Sequence, residues 1–263
     1  MASIPVALAN SEIDELFDRF VKDLETRLDD PAVDNNDLCR DTLMSIYHGP
    51  SADYHAMMAD PAVPLAARAS IACFDPRNVT LESEYYAEVD PKRFYRNKPL
   101  MWLWIMYDRS PMGHNDHLGF MVRRMLARRI FRKCGENVKF FRGVEFSFGY
   151  NITCGSNTVF HREVFVDDRG EVIIGDDVSM SDFANVYSHA HDILDINNVT
   201  LGKTVIGSGS RLTYHSVLLS GMKVGADAMV GTMGVVTRDV PDHHINVGIP
   251  AKTVKVKDRG KTG

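Results

Sequence analysis

The stretch Val186–Asp192, VYSHAHD, is the richest in side chains able to do chemistry. His191 falls where a regular pattern, described below, gives way to a loop, which leaves an imidazole exposed in a cleft. An imidazole that titrates near neutrality is the usual proton acceptor for a hydroxyl or amine nucleophile. Taken alone, one of ten histidines is better read as an idle surface residue. Its place at the break singles it out.

Other constellations test other chemistries. His161, His189 and His215 fall on separate repeats of the pattern and could converge on a metal, as ligands do in a carbonic-anhydrase-type β-helix. The His-x-x-x-x-His spacing expected there is missing, because His189 and His191 are two apart, so no metal is expected. Gly207-Ser208-Gly209 lacks the third glycine of a dinucleotide fingerprint, since position 212 is Leu212. No serine nucleophile elbow or phosphate loop is present. Arg123, Arg124, Arg128, Arg129, Arg132 and Lys133 could face an anion. They read better as a solvated helix face whose stems cover the core.

The element that must hold His191 is legible in the spacing of apolar residues. Ile206, Leu212, Leu218, Val224, Val230 and Val236 recur every six positions, which at 44% apolar content would arise by chance in roughly one trial in 140. Small or apolar residues follow four positions later, at Ser210, Ser216, Met222, Ala228, Gly234 and Val240. A period of six fits neither a helix nor an endless alternation. It fits short strands joined by tight corners, three to a triangular coil, with coils stacked and paired backbone to backbone. Upstream, Phe148, Cys154, Phe160 and Val166 keep the period. Two extra residues intrude around Asp168-Arg169-Gly170, and Ile174, Met180 and Val186 resume it. His191 to Thr200 breaks it again. Repeat proteins place insertions on one face, often the binding face.

The first 133 residues have a different texture and read as a mostly α-helical domain. Helices are expected over residues 11–28, capped by Ser11, and over 37–47, 65–73 and 118–133. Asn78 to Glu88 carries strand-like residues. A net charge of −5 argues against a nucleic-acid binder. The apolar run from Pro99 to Tyr107 is far too short to span a bilayer. The N-terminal MASIPVALANSEIDEL lacks the pattern of a leader. Cys39, Cys73, Cys134 and Cys154 have no paired metal spacing, and Cys154 takes an inward position. A reduced, cytoplasmic setting is the simplest account.

With these residues in view, positions 134 to 257 resemble the hexapeptide-repeat acyltransferases, closest to the maltose, galactoside and nodulation-type sugar O-acetyltransferases. The most specific segment is VGADAMVGTMGVVTRDVPDHHINVGIPAKTVK, Val224 to Lys255. VFVDDRGEVIIGDDV, Val164 to Val178, and YSHAHD, Tyr187 to Asp192, match earlier landmarks. The resemblance implies a mainly β fold, a left-handed parallel β-helix, assembled as a homotrimer that uses acetyl-CoA as acyl donor. It places the catalytic histidine at His191, and the acceptor-binding aspartate at Asp167 or Asp168. His161 and His189 are further acceptor-site candidates. Thr237, Arg238 and Lys252 fall where the family contacts CoA, and Tyr214 and Thr232 line the expected groove. Arg211 stands where the family commonly has a tryptophan, Thr213 and Tyr214 where it has small residues, and Thr232 and Met233 fall within its usual Gly-Ala-Gly turn.

The expected organisation is a helical domain over 1–133, the β-helix over 134–257 and a tail over 258–263. The expected activity is transfer of an acetyl or short acyl group to a hydroxyl of a sugar-like or other small acceptor. The competing expectations are a noncatalytic trimeric scaffold and a metal-dependent hydratase.

Overall fold

A computed structural model of the 263-residue chain describes residues 10–258. Residues up to 9, on which the leader reading fell, and the tail beyond Asp258 lie outside them. The chain divides into two units between Leu126 and Ala127.

The helical unit contains α1 (Ser11–Asp29), α2 (Asn35–His48), α3 (Tyr54–Ala59), α4 (Leu65–Ala72), α5 (Pro91–Arg109) and the start of α6 (Asp116–Ile130). Asn10, one residue before the expected Ser11, caps α1 by accepting the Glu12 N–H at 2.9 Å. The strand-like stretch from Asn78 to Glu88 is instead a loop with a 3₁₀ turn at Glu82–Tyr85. Among the described residues the helical unit contains no strand with which its β-branched and aromatic residues could pair.

Two helices, α3 and α5, escaped the sequence reading. Helix α5 starts on Pro91, with Asp90 accepting the Arg93 N–H. It buries eight consecutive residues, Asn97 to Trp104, and so every side of its middle two turns. A helix covered on every side shows no apolar stripe, and Pro99 adds an apparent break.

The arginines of α6 divide. Arg128 is exposed, but Arg123 is wholly buried, contrary to the solvated face expected of it. Its Nε donates to Asp108 Oδ1 at 2.6 Å and its Nη2 to the Gly113 carbonyl at 2.6 Å. The guanidinium also lies over the Tyr107 ring. Gly119 makes room for it, since a Cβ there would sit 2.3 Å from Arg123 Nη1.

From Lys133 onward the chain winds a left-handed parallel β-helix of about six turns. Three faces result. Face A stacks Lys133–Cys134, Ile152–Cys154, Val172–Ile174, Thr204–Ile206 and Lys223–Val224. Face B stacks Lys139–Phe140, Val159–Phe160, Ser179–Met180, Arg211–Leu212 and Met229–Val230, then the closing hairpin His244–Val247 and Lys252–Val256. Face C stacks Glu145–Phe146, Phe165–Val166, Asn185–Val186, Val217–Leu218 and Val235–Val236.

The anchors Cys154, Phe160, Val166, Ile174, Met180, Val186, Ile206, Leu212, Leu218, Val224, Val230 and Val236 are all at most 1% exposed, so the period of six marks the inward column. Phe140 and Phe160 stack within it at 4.7 Å. Gly207 marks one close approach, because a Cβ there would meet the Ala226 backbone nitrogen at 2.6 Å.

One register differs from the sequence reading. Phe146, not Phe148, pairs with Val166, so eight residues rather than six separate the first C-face anchor from Cys154. Phe148 is buried as well, which is why it passed for an anchor. Insertions therefore follow face C in three successive coils: Phe146 to Cys154, Val166 to Ile174 and Val186 to Ile206. All three leave the helix at the same corner, between faces C and A.

Candidate functional site

The largest of the three insertions is an antiparallel hairpin, His189–His191 against Val199–Leu201. It carries His191 out of the coil. His191 is exposed, and its Nδ1 lies 2.7 Å from the Ile196 carbonyl. A carbonyl can only accept, so Nδ1 bears the proton and Nε2 of the neutral ring keeps its lone pair. The turn is closed by Asp192, whose carboxylate accepts the Leu194 and Asp195 N–H groups, and these bonds hold it below the usual carboxylate range.

The two smaller insertions support the hairpin from below. Asp168 is fully buried and accepts N–H groups from Phe148 at 2.7 Å and Asn151 at 3.1 Å. The Asn151 side chain returns a bond to the Asp168 carbonyl at 2.9 Å. Asp168 thereby ties the first insertion to the second. Asp167 is 1% exposed and accepts from Ser147 Oγ, the Ser188 N–H and the His189 ring. In the isolated chain, neither carboxylate of the VDD motif reaches solvent.

Burial pushes the Asp168 carboxyl up to about 6, against the pull of the N–H groups it accepts. A carboxyl raised in the folded state binds its proton more tightly there than in the unfolded chain. Its contribution to stability is therefore largest at acid pH and declines as pH rises through the window from about 4 to 6. Going from pH 4.5 to 7, the chain should lose about 1–3 kcal/mol more unfolding free energy than Asp168→Asn does. Urea titrations of both proteins at the two pH values measure this, and parallel losses would contradict it.

Thr237 and Arg238 lie on the same corner as the hairpin. Tyr187, Leu219 and Thr237 follow face-C strands that are stacked in register, as do Ser188, Ser220 and Arg238. At about 4.8 Å per coil, Thr237 stands about 10 Å along the corner from Tyr187, with one coil between. Thr237 and Arg238 are exposed, whereas Tyr187 is half-buried.

The other candidates lie at the corner between faces B and C. His161 stacks on Phe141 at 5.0 Å, and burial holds its imidazole below the usual range, helped by Arg162. His215 stacks on Phe183 at 4.8 Å and meets Tyr214 edge-on. Phe183, His215 and Met233 occupy the left-handed region, at φ of 61°, 54° and 60°, on successive coils. This backbone state is unusual for large side chains. Phe183 and Met233, at such positions, and Tyr214, just before His215, are between 39% and 55% exposed, and Thr232 beside them is exposed as well. Lys252, also exposed, opens the last strand of face B.

His161 and His215 thus share one corner while His189 belongs to another. Among the described residues, no three His, Cys, Asp or Glu side chains are grouped as a metal ligand set. No helix among them is long and apolar enough to cross a membrane.

A left-handed parallel β-helix is the fold of the hexapeptide-repeat acetyltransferases. The chain is 26% identical over 176 residues to a galactoside O-acetyltransferase of Escherichia coli strain K12, a match covering 65% of this chain and 83% of that protein. It is 27% identical over 151 residues to a putative acetyltransferase of Staphylococcus aureus strain Mu50, covering 56% of this chain and 76% of that protein. A maltose O-acetyltransferase from Clostridium difficile 630 superimposes with a TM-score of 0.58 at 22% identity, over 66% of this chain and 92% of that one. A galactoside acetyltransferase in complex with coenzyme A superimposes with a TM-score of 0.57 at 25% identity, over 65% and 84%. No family model matches. The chain is similar in sequence and fold to the sugar O-acetyltransferases of the hexapeptide-repeat class.

Proposed function

We propose that this chain is an acyl-CoA-dependent O-acetyltransferase that moves an acetyl or short acyl group to a hydroxyl of a sugar-like or other small acceptor. The observation that carries this reading is the His191 ring, exposed on its hairpin with Nδ1–H committed to the Ile196 carbonyl. Nε2 takes the acceptor's hydroxyl proton as the oxygen attacks the thioester carbonyl. The tetrahedral intermediate collapses, the carbon–sulfur bond breaks, and the Nε2 proton passes to the departing thiolate. Base and acid are the same nitrogen, so the ring ends in the state in which it began.

Arg238 and Lys252 suit the phosphates of CoA, since either cation pairs with phosphate, and Thr237 offers a hydroxyl beside Arg238. Tyr214 and Thr232 supply an exposed wall at the other corner, between faces B and C. One protomer thus divides its candidate residues between two corners. A cyclic homotrimer that lays the B–C corner of one copy against the C–A corner of the next joins both sets in one groove.

The test is thiol release from acetyl-CoA across a panel of hydroxylated acceptors, with binding of CoA followed by calorimetry. Release that depends on one acceptor class is expected, from a species that light scattering shows to be a trimer. Absence of CoA binding would leave the noncatalytic scaffold as the better account, and a fully active monomer would refute the shared groove.

A further inference from the structure

The resemblance places an acceptor-binding aspartate in the VDD motif, but the geometry gives Asp167 another occupation. Its Oδ1 accepts from Ser147 Oγ at 3.1 Å, and its Oδ2 accepts the Ser188 N–H at 3.1 Å and lies 2.5 Å from His189 Nδ1. Ser188 completes the enclosure, donating its Oγ–H to the Asp167 carbonyl at 2.6 Å and accepting the Gly170 N–H at 2.8 Å. A carboxylate with these three donors, 1% exposed, cannot meet an acceptor hydroxyl without breaking a bond. It can hold an imidazole.

His189 stands at the foot of the hairpin, paired in register with Leu201. Its ring is anchored inward at Nδ1, so its plane is set by a buried group and not by solvent. The His191 ring meets it edge to face, with centroids 5.1 Å apart and planes at 88°. His191 therefore has two constraints: the Ile196 carbonyl on Nδ1 and the His189 ring at its flank. Tyr187 borders the same platform, its ring 6.5 Å from His189.

We propose that Asp167 and His189 are positioning residues rather than acceptor-binding ones: the buried carboxylate locks the His189 ring, and that ring sets the plane of His191 so that Nε2 is presented in one direction. This rests on reading His191 as the base. The arrangement follows the logic by which a carboxylate orients an imidazole elsewhere, with one ring interposed between the carboxylate and the working nitrogen.

The experiment is steady-state kinetics on the full chain with acetyl-CoA and an active hydroxyl acceptor, combined with a double-mutant cycle. His189→Ala should lower kcat by roughly 10- to 100-fold, the scale of a misplaced catalytic group, with both KM values nearly unchanged. Because His189 acts through His191, adding His189→Ala to His191→Ala should cost nothing more. Asp167→Asn keeps an oxygen that can accept the Nδ1–H and should retain most of kcat, whereas Asp167→Ala should fall to the level of His189→Ala. Should Asp167→Ala fail to fold, as judged by circular dichroism, the His189 cycle and Asp167→Asn still decide the matter.

A rise in acceptor KM at unchanged kcat in His189→Ala, or losses that multiply in the double variant, would overturn the positioning role and restore substrate binding. Near-full activity of His191→Ala alone would instead overturn the base assignment on which the proposal rests.

Discussion

His191→Ala is expected to leave the β-helix folded and to lower acyl transfer by about 10² to 10⁴-fold, the range for removing a positioned proton acceptor. Folding should survive because the ring is exposed on the hairpin and takes no part in the inward column, whose anchors are at most 1% exposed. The bond to Ile196 is the only one the ring makes to the turn among the hydrogen bonds described, so the hairpin loses one exposed contact. Affinity for CoA should change little, since the residues proposed to hold it, Thr237 and Arg238, follow a strand two coils away on the same corner. The decisive comparison is single-turnover transfer and CoA calorimetry on the same preparation. A variant that binds CoA normally and transfers at the native rate would show that His191 is not the base.

Asp108→Ala should destabilise the helical unit by about 3–5 kcal/mol, because it leaves a buried guanidinium without its carboxylate. Arg123 is 0% exposed, its Nε donates to Asp108 at 2.6 Å, and Gly119 packs directly against the guanidinium, so the cation is held out of water. Replacing the pair by apolar residues of similar volume, Arg123→Met with Asp108→Leu, should recover most of the loss, since both desolvation costs are then removed together. Both tryptophans of the chain, Trp102 and Trp104, lie in α5, so intrinsic fluorescence during urea unfolding reports on this unit. An unfolding midpoint in Asp108→Ala equal to that of the native chain would show that the pair contributes nothing.

The repeat was legible because each inward position faces only other inward positions, coil above coil. That environment selects apolar side chains every six residues irrespective of what the corners do, and Ile206 to Val236 display it without interruption. Helices α1, α2, α4 and most of α6 were legible for the complementary reason: one side meets the core and the other meets water. Helix α5 was not, since burial on all sides erases that contrast. Arg123 was misread for the same cause, its type signalling solvent while a buried Asp108 waited within reach.

Residue types and local spacing determined that this chain forms a coil of hexads and that something interrupts it beside His191. Only the tertiary structure decided that three insertions share one corner. That fact depends on which strands pair across 20 residues, and Phe148 is as apolar as Phe146, the anchor it imitates, and more deeply buried. The roles of Asp167 and Asp168 were equally undetermined by sequence: adjacent in the chain, they point to different partners. One accepts from His189 and the other from the backbone of Phe148 and Asn151, because successive residues on an extended segment face opposite ways and each meets whatever the neighbouring coil brings beside it.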